Sequence, residues 1–159
     1  MQSRCPQCGL TLPQGQPAWI RQITVGQLMT PDPVTLGPED SLATAVQTMR
    51  RHHVRRIPIL LAGKLVGIVA EGDLKRASPS TLSDSAEEYE RVMEGTPISR
   101  IMVARPITTV ESAPLIEAVH TLRTTKFGSL PVLRDGQLVG ILTDNDVLRF
   151  LHDLLGQSG

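Results

Sequence analysis

Apolar and polar residues follow two different periods along this chain, one typical of strands and one typical of helices. Short aliphatic runs recur in pairs, and a glycine-containing turn joins the two members of each pair. Elsewhere apolar residues recur every three or four positions, which predicts amphipathic helices. The predicted strands are 34–36, 57–61, 65–70, 107–109, 130–133 and 138–142. The clearest predicted helices follow Ser41, follow Pro114 and span 147–155.

The predicted order β-α-β-β-α occurs twice because the sequence itself is duplicated. A shift of 73 residues aligns 29–74 with 102–147 without a gap, and 16 of the 46 aligned pairs are identical. Ordinary composition would give about three identities by chance. We therefore expect an α/β (α+β) fold that contains two β-α-β-β-α subdomains.

The segments outside the repeats are more polar or richer in proline. The expected divisions are a flexible leader with a Cys-x-x-Cys motif at 1–23, a first repeat at 24–76, a linker at 77–97 and a second repeat at 98–156. In the linker, Ser83 and Asp84 followed by Glu87 form a capping signal, and Gly95 can end a helix. One amphipathic helix is therefore expected in the linker.

Composition and charge exclude several classes of function. Of 159 residues, 40% are hydrophobic and only four are aromatic, so the core must be aliphatic. Sixteen basic residues balance sixteen acidic ones, which argues against a general nucleic-acid binder. No apolar run reaches the roughly 20 residues of a membrane span, and residues 1–9 lack the apolar part of a signal peptide. We expect a cytoplasmic protein that binds neither nucleic acid nor membrane.

The end of the second hairpin carries the strongest candidate chemistry. Residues 140–146 read Gly-Ile-Leu-Thr-Asp-Asn-Asp, at the predicted junction of a strand and a helix. The carboxylate of Asp146 has two acceptor oxygens that suit the paired hydroxyls of a ribose. The hydroxyl of Thr143 can hold a ribose or phosphate oxygen beside the helix N-terminus. Taken alone, these residue types favour the alternative interpretation that Thr143 and Asp146 only cap the last helix, and it is the repeat and the strand motif beside them that favour a ligand site.

The first repeat lacks one of these groups. Residues 67–73 read Gly-Ile-Val-Ala-Glu-Gly-Asp, so Asp73 is present but Ala70 stands where the hydroxyl residue belongs. One hydrogen bond lost to a ligand is worth on the order of 1 kcal/mol, or several-fold in affinity. We expect a weaker site there, not an absent one.

The duplicated pattern resembles a tandem pair of cystathionine β-synthase (CBS) domains, often called a Bateman module. The resemblance covers about residues 25–155 and rests on the proline-led strands 58–60 and 131–133, on Leu-Val-Gly-Ile in both repeats, and on Gly-x-x-Thr-x-x-Asp at 140–146. Within that family the chain is similar to small stand-alone pairs such as the acetoin-utilisation proteins. The resemblance implies two subdomains related by pseudo-twofold symmetry and, usually, a homodimer.

The resemblance also implies regulation without catalysis. It implies a module that binds an adenosine-containing nucleotide, of the AMP, ADP, ATP or S-adenosylmethionine class, and signals to an unidentified regulated protein. No required cofactor is implied. The sequence shows no nucleophile–base motif, Gly-rich phosphate loop or His/Asp/Glu metal motif that would favour an enzyme. The alternative is a structural dimerisation scaffold with degenerate ligand sites.

Further candidate site residues follow from the resemblance by position. In phosphate-binding family members a basic residue about five before the strand proline can face the polyphosphate, which implies His53 and Lys126. A solvated, dipole-complementing helix end is an equally weighted interpretation of these two residues. The adenine of family ligands lies near the first and the proline-led strands, and ordinary core packing is the alternative there. By position these adenine candidates are Val34, Thr35, Ile107, Thr108 and Val132.

The two cysteines of the chain, Cys5 and Cys8, lie in the leader. Their spacing is half of a zinc-ribbon ligand set, but structural zinc needs four ligands. A second chain, or His52 and His53, would have to supply the rest. We therefore rank a zinc site first, a bare leader second and a redox pair third.

Overall fold

Two small β-sheets with helices packed on them form the fold. The computed structural model describes residues 4, 6–9, 11, 18–79 and 85–156. The strands are β1 (Thr30–Pro31), β2 (Arg56–Leu61), β3 (Lys64–Ala70), β4 (Val103–Ala104), β5 (Thr109–Val110), β6 (Ser129–Arg134) and β7 (Gln137–Thr143). The α-helices are α1 (Val25–Leu28), α2 (Leu42–His52), α3 (Glu71–Ala77), α4 (Ala86–Gly95), α5 (Leu115–Thr125) and α6 (Asp144–Gly156). Two 3-10 helices span Ala18–Gln22 and Ile98–Arg100.

Each sheet is built around one antiparallel hairpin. In the first repeat β2 pairs with β3, and in the second β6 pairs with β7. Each hairpin turns through two residues of positive φ, Ala62-Gly63 and Asp135-Gly136, which matches the right-handed twist of the strands. The strand that precedes α5 lies parallel to β6, whereas Leu36 makes only a single parallel bridge to Ile59. The first predicted strand of the first repeat is therefore shorter than expected.

The opening segment of each repeat joins the sheet of the other repeat. We define the opening segments as residues 24–31 and 98–104. β1 pairs with β7, which gives the order β1-β7-β6-β5, and β4 pairs with β3, which gives β2-β3-β4. Val25 is fully buried in the core of the second repeat, and Ile98 is fully buried in the core of the first. The two repeats therefore interlock by a reciprocal exchange.

The cores are aliphatic, as composition predicts. In the first repeat the fully buried side chains include Leu42, Ile57, Ile59 and Val69, which come from α2 and the hairpin. In the second repeat the residues at the matching positions, Leu115, Leu130, Val132 and Leu142, are also buried. Burial of such side chains contributes about 1.5–3 kcal/mol each to folding. Each core thus fixes its hairpin and its helices as one unit.

The two halves share their backbone even where their side chains differ, which confirms the predicted fold of two related subdomains. Three pairs of non-glycine residues related by the 73-residue shift have positive φ, and they are Asp32 and Arg105, His53 and Lys126, and Ala62 and Asp135. The backbone of an L-residue rarely adopts this region. Its recurrence at matching positions shows that the duplication preserved the turns.

The N-cap residues of three helices can be compared with the caps that the sequence predicts. The hydroxyl of Ser41 accepts a hydrogen bond from the backbone N of Thr44 at 3.1 Å, so α2 begins where it is expected. Pro114 is the N-cap residue of α5, which therefore begins directly after it as predicted. The linker helix α4 is capped by Ser85, whereas the predicted caps Ser83 and Asp84 lie outside the described residues. Among the helices described, none is long and apolar enough to cross a membrane.

Candidate functional site

Two clefts related by the 73-residue shift open between the repeats. The first cleft, of about 810 Å³, is lined by residues from 30–34, 52–56, 70–72 and 141–149. The second cleft, of about 240 Å³, is lined by residues from 68–76, 103–107 and 126–129, together with Arg56. Each cleft thus combines the turn before the hairpin of one repeat, 52–56 or 126–129, with the junction of the last strand and the following helix in the other repeat.

This crossing decides which candidate residues meet. Asp146 and Thr143 of the second repeat line the first cleft together with Val34 and His53 of the first repeat. Asp73 of the first repeat lines the second cleft together with Ile107 and Lys126. Each of the two sites is therefore formed by residues of both repeats.

Asp146 is the most strongly held polar side chain of the first cleft. It is 5% exposed, and its Oδ2 accepts hydrogen bonds from the backbone N and from the hydroxyl of Thr143, both at 2.8 Å. Its Oδ1 accepts from the Thr30 hydroxyl at 3.4 Å and from the Arg149 guanidinium at 2.6 Å. The capping contacts of the alternative interpretation are thus present. The same contacts also fix the carboxylate at the wall of the cleft, where the arginine that pairs with Oδ1 is itself exposed.

Asp73 has fewer partners in the second cleft. Its Oδ2 accepts from the backbone N of Ala70 at 2.8 Å, and its Oδ1 accepts from the Arg76 guanidinium. Ala70 has no hydroxyl to add, and Val103 takes the position that Thr30 has in the first cleft. The carboxylate is therefore held by one backbone hydrogen bond and one exposed ion pair.

The candidate phosphate residues end the helices that precede the hairpins. His53 and Lys126 are the C-caps of α2 and α5, and both have left-handed backbone conformations. Both are exposed, and each lies in a cleft with arginines. These arginines are Arg55, Arg56 and Arg149 in the first cleft, and Arg56 and Arg76 in the second.

Sequence reasoning missed Thr30 and Arg149 for different reasons. Arg149 lies three residues after Asp146 on the same helix, a spacing that places two side chains side by side, so helical periodicity was a usable signal. Thr30 is 116 residues from Asp146 and reaches it only through the exchange of opening segments. No local pattern indicates that contact.

The family of the chain follows from comparison with known proteins. A family model described as CBS domain matches residues 25–80 and again residues 98–153. The chain belongs to the CBS-domain family. This CBS pair is 31% identical over 137 residues to a CBS domain-containing protein of Dictyostelium discoideum, and the match covers 84% of this chain and 94% of that protein.

Other curated relatives of the CBS pair are longer proteins. The chain is 32% identical over 133 residues to an uncharacterised protein of Methanocaldococcus jannaschii, with 79% of this chain and 48% of that protein covered. It is 32% identical over 117 residues to an inosine-5′-monophosphate dehydrogenase of Korarchaeum cryptofilum, with 73% of this chain but only 22% of the enzyme covered. The likeness to that enzyme is therefore confined to a fraction of its length.

Solved CBS pairs share the fold. A proposed acetoin utilization protein (AcuB) from Vibrio cholerae superposes with a TM-score of 0.71 at 31% identity, covering 86% of this chain and 96% of that one. A CBS domain pair solved with 5′-methylthioadenosine and S-adenosyl-L-methionine has a TM-score of 0.69 at 25% identity, covering 83% and 98%. CBSX2 in complex with AMP has a TM-score of 0.67 at 29% identity, covering 82% and 97%. Adenosine-containing ligands thus occur among similar CBS pairs.

Three adenine candidates of this CBS pair lie outside the walls of both clefts. Val132 is fully buried in the core of the second repeat. Thr35 is half-buried and Thr108 is exposed. In contrast, Val34 and Ile107, their neighbours in sequence, line the first and the second cleft. The structure therefore brings one apolar residue of this set into each cleft.

The residues that the structure describes give no support to a metal site. Cys8 is an exposed free thiol, and Cys5 lies outside the part of the chain that the structure describes. No group of three or more His, Cys, Asp or Glu side chains suited to a metal ion occurs among the residues described. His52 and His53, the alternative metal ligands that the sequence offers, line the first cleft.

Proposed function

We propose that this CBS pair is a non-catalytic regulatory module that binds an adenosine-containing nucleotide. The observation that carries the proposal is the composition of the first cleft, where Asp146 and Thr143 of one repeat face basic residues of the other. A carboxylate suits ribose hydroxyls, and guanidinium groups suit phosphate oxygens. An adenosine nucleotide carries both. The AMP complex of CBSX2 and the S-adenosyl-L-methionine complex of a second CBS pair support this ligand class.

Each residue of the first cleft has a distinct role in this proposal. Asp146 binds the ribose, and Thr143 fixes Asp146 while adding a hydroxyl. Val34 provides an apolar wall for the adenine, while Thr35 contributes packing beside it. His53 faces the phosphate.

The second cleft binds the same class of ligand more weakly. Asp73, Ile107 and Lys126 take the roles of ribose, adenine and phosphate residues, while Thr108 and Val132 lie outside the wall of this cleft. The smaller volume and the absence of a hydroxyl at Ala70 both reduce the contacts available to a ligand. Occupancy of the clefts changes how the repeats meet, and that change is what a regulated partner protein detects.

A homodimer is the second part of the proposal. On α6, the side chains of Leu148, Leu151 and Leu155 form an exposed apolar row. The helices of the first repeat are covered differently, because α4 packs on α2 and buries Met93 there. A second copy of the chain is the occupant that fits the open face of α6. Light scattering tests this, and a mass of one chain at micromolar concentration would contradict it.

The ligand is tested by thermal unfolding. The chain is heated with AMP, ADP, ATP, S-adenosylmethionine, NAD or cyclic di-AMP. At about 100 times its dissociation constant, a ligand adds nearly 3 kcal/mol of apparent stability, which raises the unfolding midpoint. Asp146→Asn should lose most of the response, and the matched variant Asp73→Asn should keep it. Incubated nucleotide should be recovered chemically unchanged.

Two outcomes would overturn this proposal. If no nucleotide at millimolar concentration moves the midpoint, the chain is better described as a dimerisation scaffold with degenerate sites. If a nucleotide is consumed in proportion to time and protein, the module is not free of catalysis.

A further inference from the structure

One charged side chain is shared by the two clefts. Among the described residues, Arg56 and Ala70 line both clefts, and Arg56 is the charged one of the two. Arg56 begins β2 and lies opposite Ala70 in the hairpin, so its backbone is fixed by the sheet. Its side chain is about one quarter exposed. A partly buried guanidinium at this boundary keeps enough solvent access to reach a ligand on either side.

The guanidinium lies between one wall of each cleft. It packs against Gly128, where a Cβ atom would overlap Nη2 of Arg56, and Gly128 lies between Phe127 and Ser129 of the second cleft while accepting from the backbone N of Asp144 of the first. On the side of the first cleft, Nη1 lies 3.8 Å from Oδ1 of Asp144. That separation is too long for a hydrogen bond, so the five N–H donors of Arg56 are not committed to Asp144. The side chain is placed between the clefts without being bound tightly to either.

Only the first of the two repeats has an arginine at this position. The 73-residue shift aligns Arg56 with Ser129, which is buried and lines the second cleft. A symmetric pair would have two arginines at the boundary, one for each cleft. Here a single guanidinium serves two positions where a phosphate would approach.

We propose that Arg56 binds the phosphate of a nucleotide in either cleft but not in both at once. The two clefts then compete for one guanidinium, so a phosphorylated ligand in one cleft weakens the binding of a phosphorylated ligand in the other. This inference rests on the proposed function, since it requires both clefts to accept adenosine nucleotides. Adenosine without phosphate does not engage Arg56 and is the internal control. Coupling of this kind is reciprocal between the two sites.

Calorimetric titration of the full chain with AMP and with adenosine tests the proposal. The two clefts differ in their own affinities, and the ratio of the two dissociation constants for adenosine measures that difference. The clefts also differ in their other cations, so the informative quantity is the change in the ratio for AMP when Arg56 is removed. In Arg56→Ser, which copies the residue of the second repeat, the ratio for AMP should fall by about tenfold, the effect of one charge-assisted hydrogen bond at a partly exposed site, while the ratio for adenosine should not change.

The variants separate competition from simple repulsion between two phosphates. Repulsion would leave the excess ratio for AMP in place, or increase it, in Arg56→Ser. Arg56→Gln is the second variant, because it keeps a polar side chain and replaces the charged guanidinium that lies beside Gly128 by a neutral amide. The ratio for AMP should fall in this variant as well, with the ratio for adenosine unchanged.

A ratio for AMP that is the same in the unsubstituted chain and in both variants overturns the shared role of Arg56 while nucleotide binding stands. Binding of neither AMP nor adenosine overturns the proposed function and this inference together.

Discussion

The first and second clefts have the same backbone plan but different groups around their aspartates. In both, an aspartate accepts from the backbone N of the residue three positions earlier, at 2.8 Å. Asp146 also accepts from the hydroxyls of Thr143 and Thr30, whereas alanine and valine stand at the matching positions around Asp73. The backbone thus positions the carboxylate, and neighbouring side chains decide how firmly it is held. Duplication can preserve the first property while the second changes.

The largest expected difference between the halves is in stability without ligand. Asp146→Ala removes an acceptor of four hydrogen bonds that is almost fully buried, and should lower the free energy of unfolding by about 3 kcal/mol. Asp73→Ala removes one backbone contact and one exposed ion pair, and should cost about 1 kcal/mol. Urea unfolding with an unchanged m-value measures both. Equal losses would show that the hydroxyls around Asp146 contribute nothing.

A smaller effect should follow from exchanging Ala70 and Thr143, the residues that immediately precede α3 and α6. Thr143→Ala should lower stability by about 1 kcal/mol, and Ala70→Thr should raise it by a similar amount, because a hydroxyl at the cap accepts from a free helix N–H. Affinity should move in the same direction at each cleft, by several-fold. Urea unfolding and calorimetry of the single and double variants measure this. Nucleotide binding that weakens in Ala70→Thr would contradict it.

The smallest expected effect concerns an ion pair that only the second repeat has. The Arg134 guanidinium donates to the Glu111 carboxylate and lowers the pKa of Glu111 below its ordinary value of 4.5. The matching positions in the first repeat are Pro38 and Leu61. A lowered folded pKa gives a stability contribution that is present above pH 4.5 and is lost as pH falls through the folded pKa.

The pH test compares the unsubstituted chain with Glu111→Gln. Between about pH 5 and pH 3 the unfolding midpoint of the unsubstituted chain should fall slightly more steeply than that of the variant. Added salt should reduce the difference, because the pair is solvent-exposed. Parallel pH profiles would show that the pair has no effect on stability.

The local elements of each repeat could be predicted because their signals lie within short stretches of sequence. The turns Ala62-Gly63 and Asp135-Gly136 indicate hairpins, and both hairpins form with those turns. Ser41 indicates the start of α2 for the same reason. The short β5 and the single bridge at Leu36 were harder to place, because two-residue pairings leave little pattern.

The composition of each cleft could not be predicted in the same way. Asp146 and Thr143 are visible in the sequence, but their neighbour Thr30 comes from the opening segment of the other repeat. Likewise the alignment indicates that His53 and Lys126 are equivalent, without showing that His53 shares a cleft with Asp146. Pairing of distant strands decides these contacts, and single-sequence periodicity carries no information about it.

The exchange of opening segments also sets an order of events during protein synthesis. When the ribosome has released the chain through α3, β3 still lacks its neighbour β4, and β1 has no β7 to pair with. Unpaired strand edges therefore stay exposed until the second hairpin has been made. Closing so long a loop slows folding. Two nascent chains on neighbouring ribosomes have the same missing edges, so the strands that complete one chain can be taken from the other before either is finished.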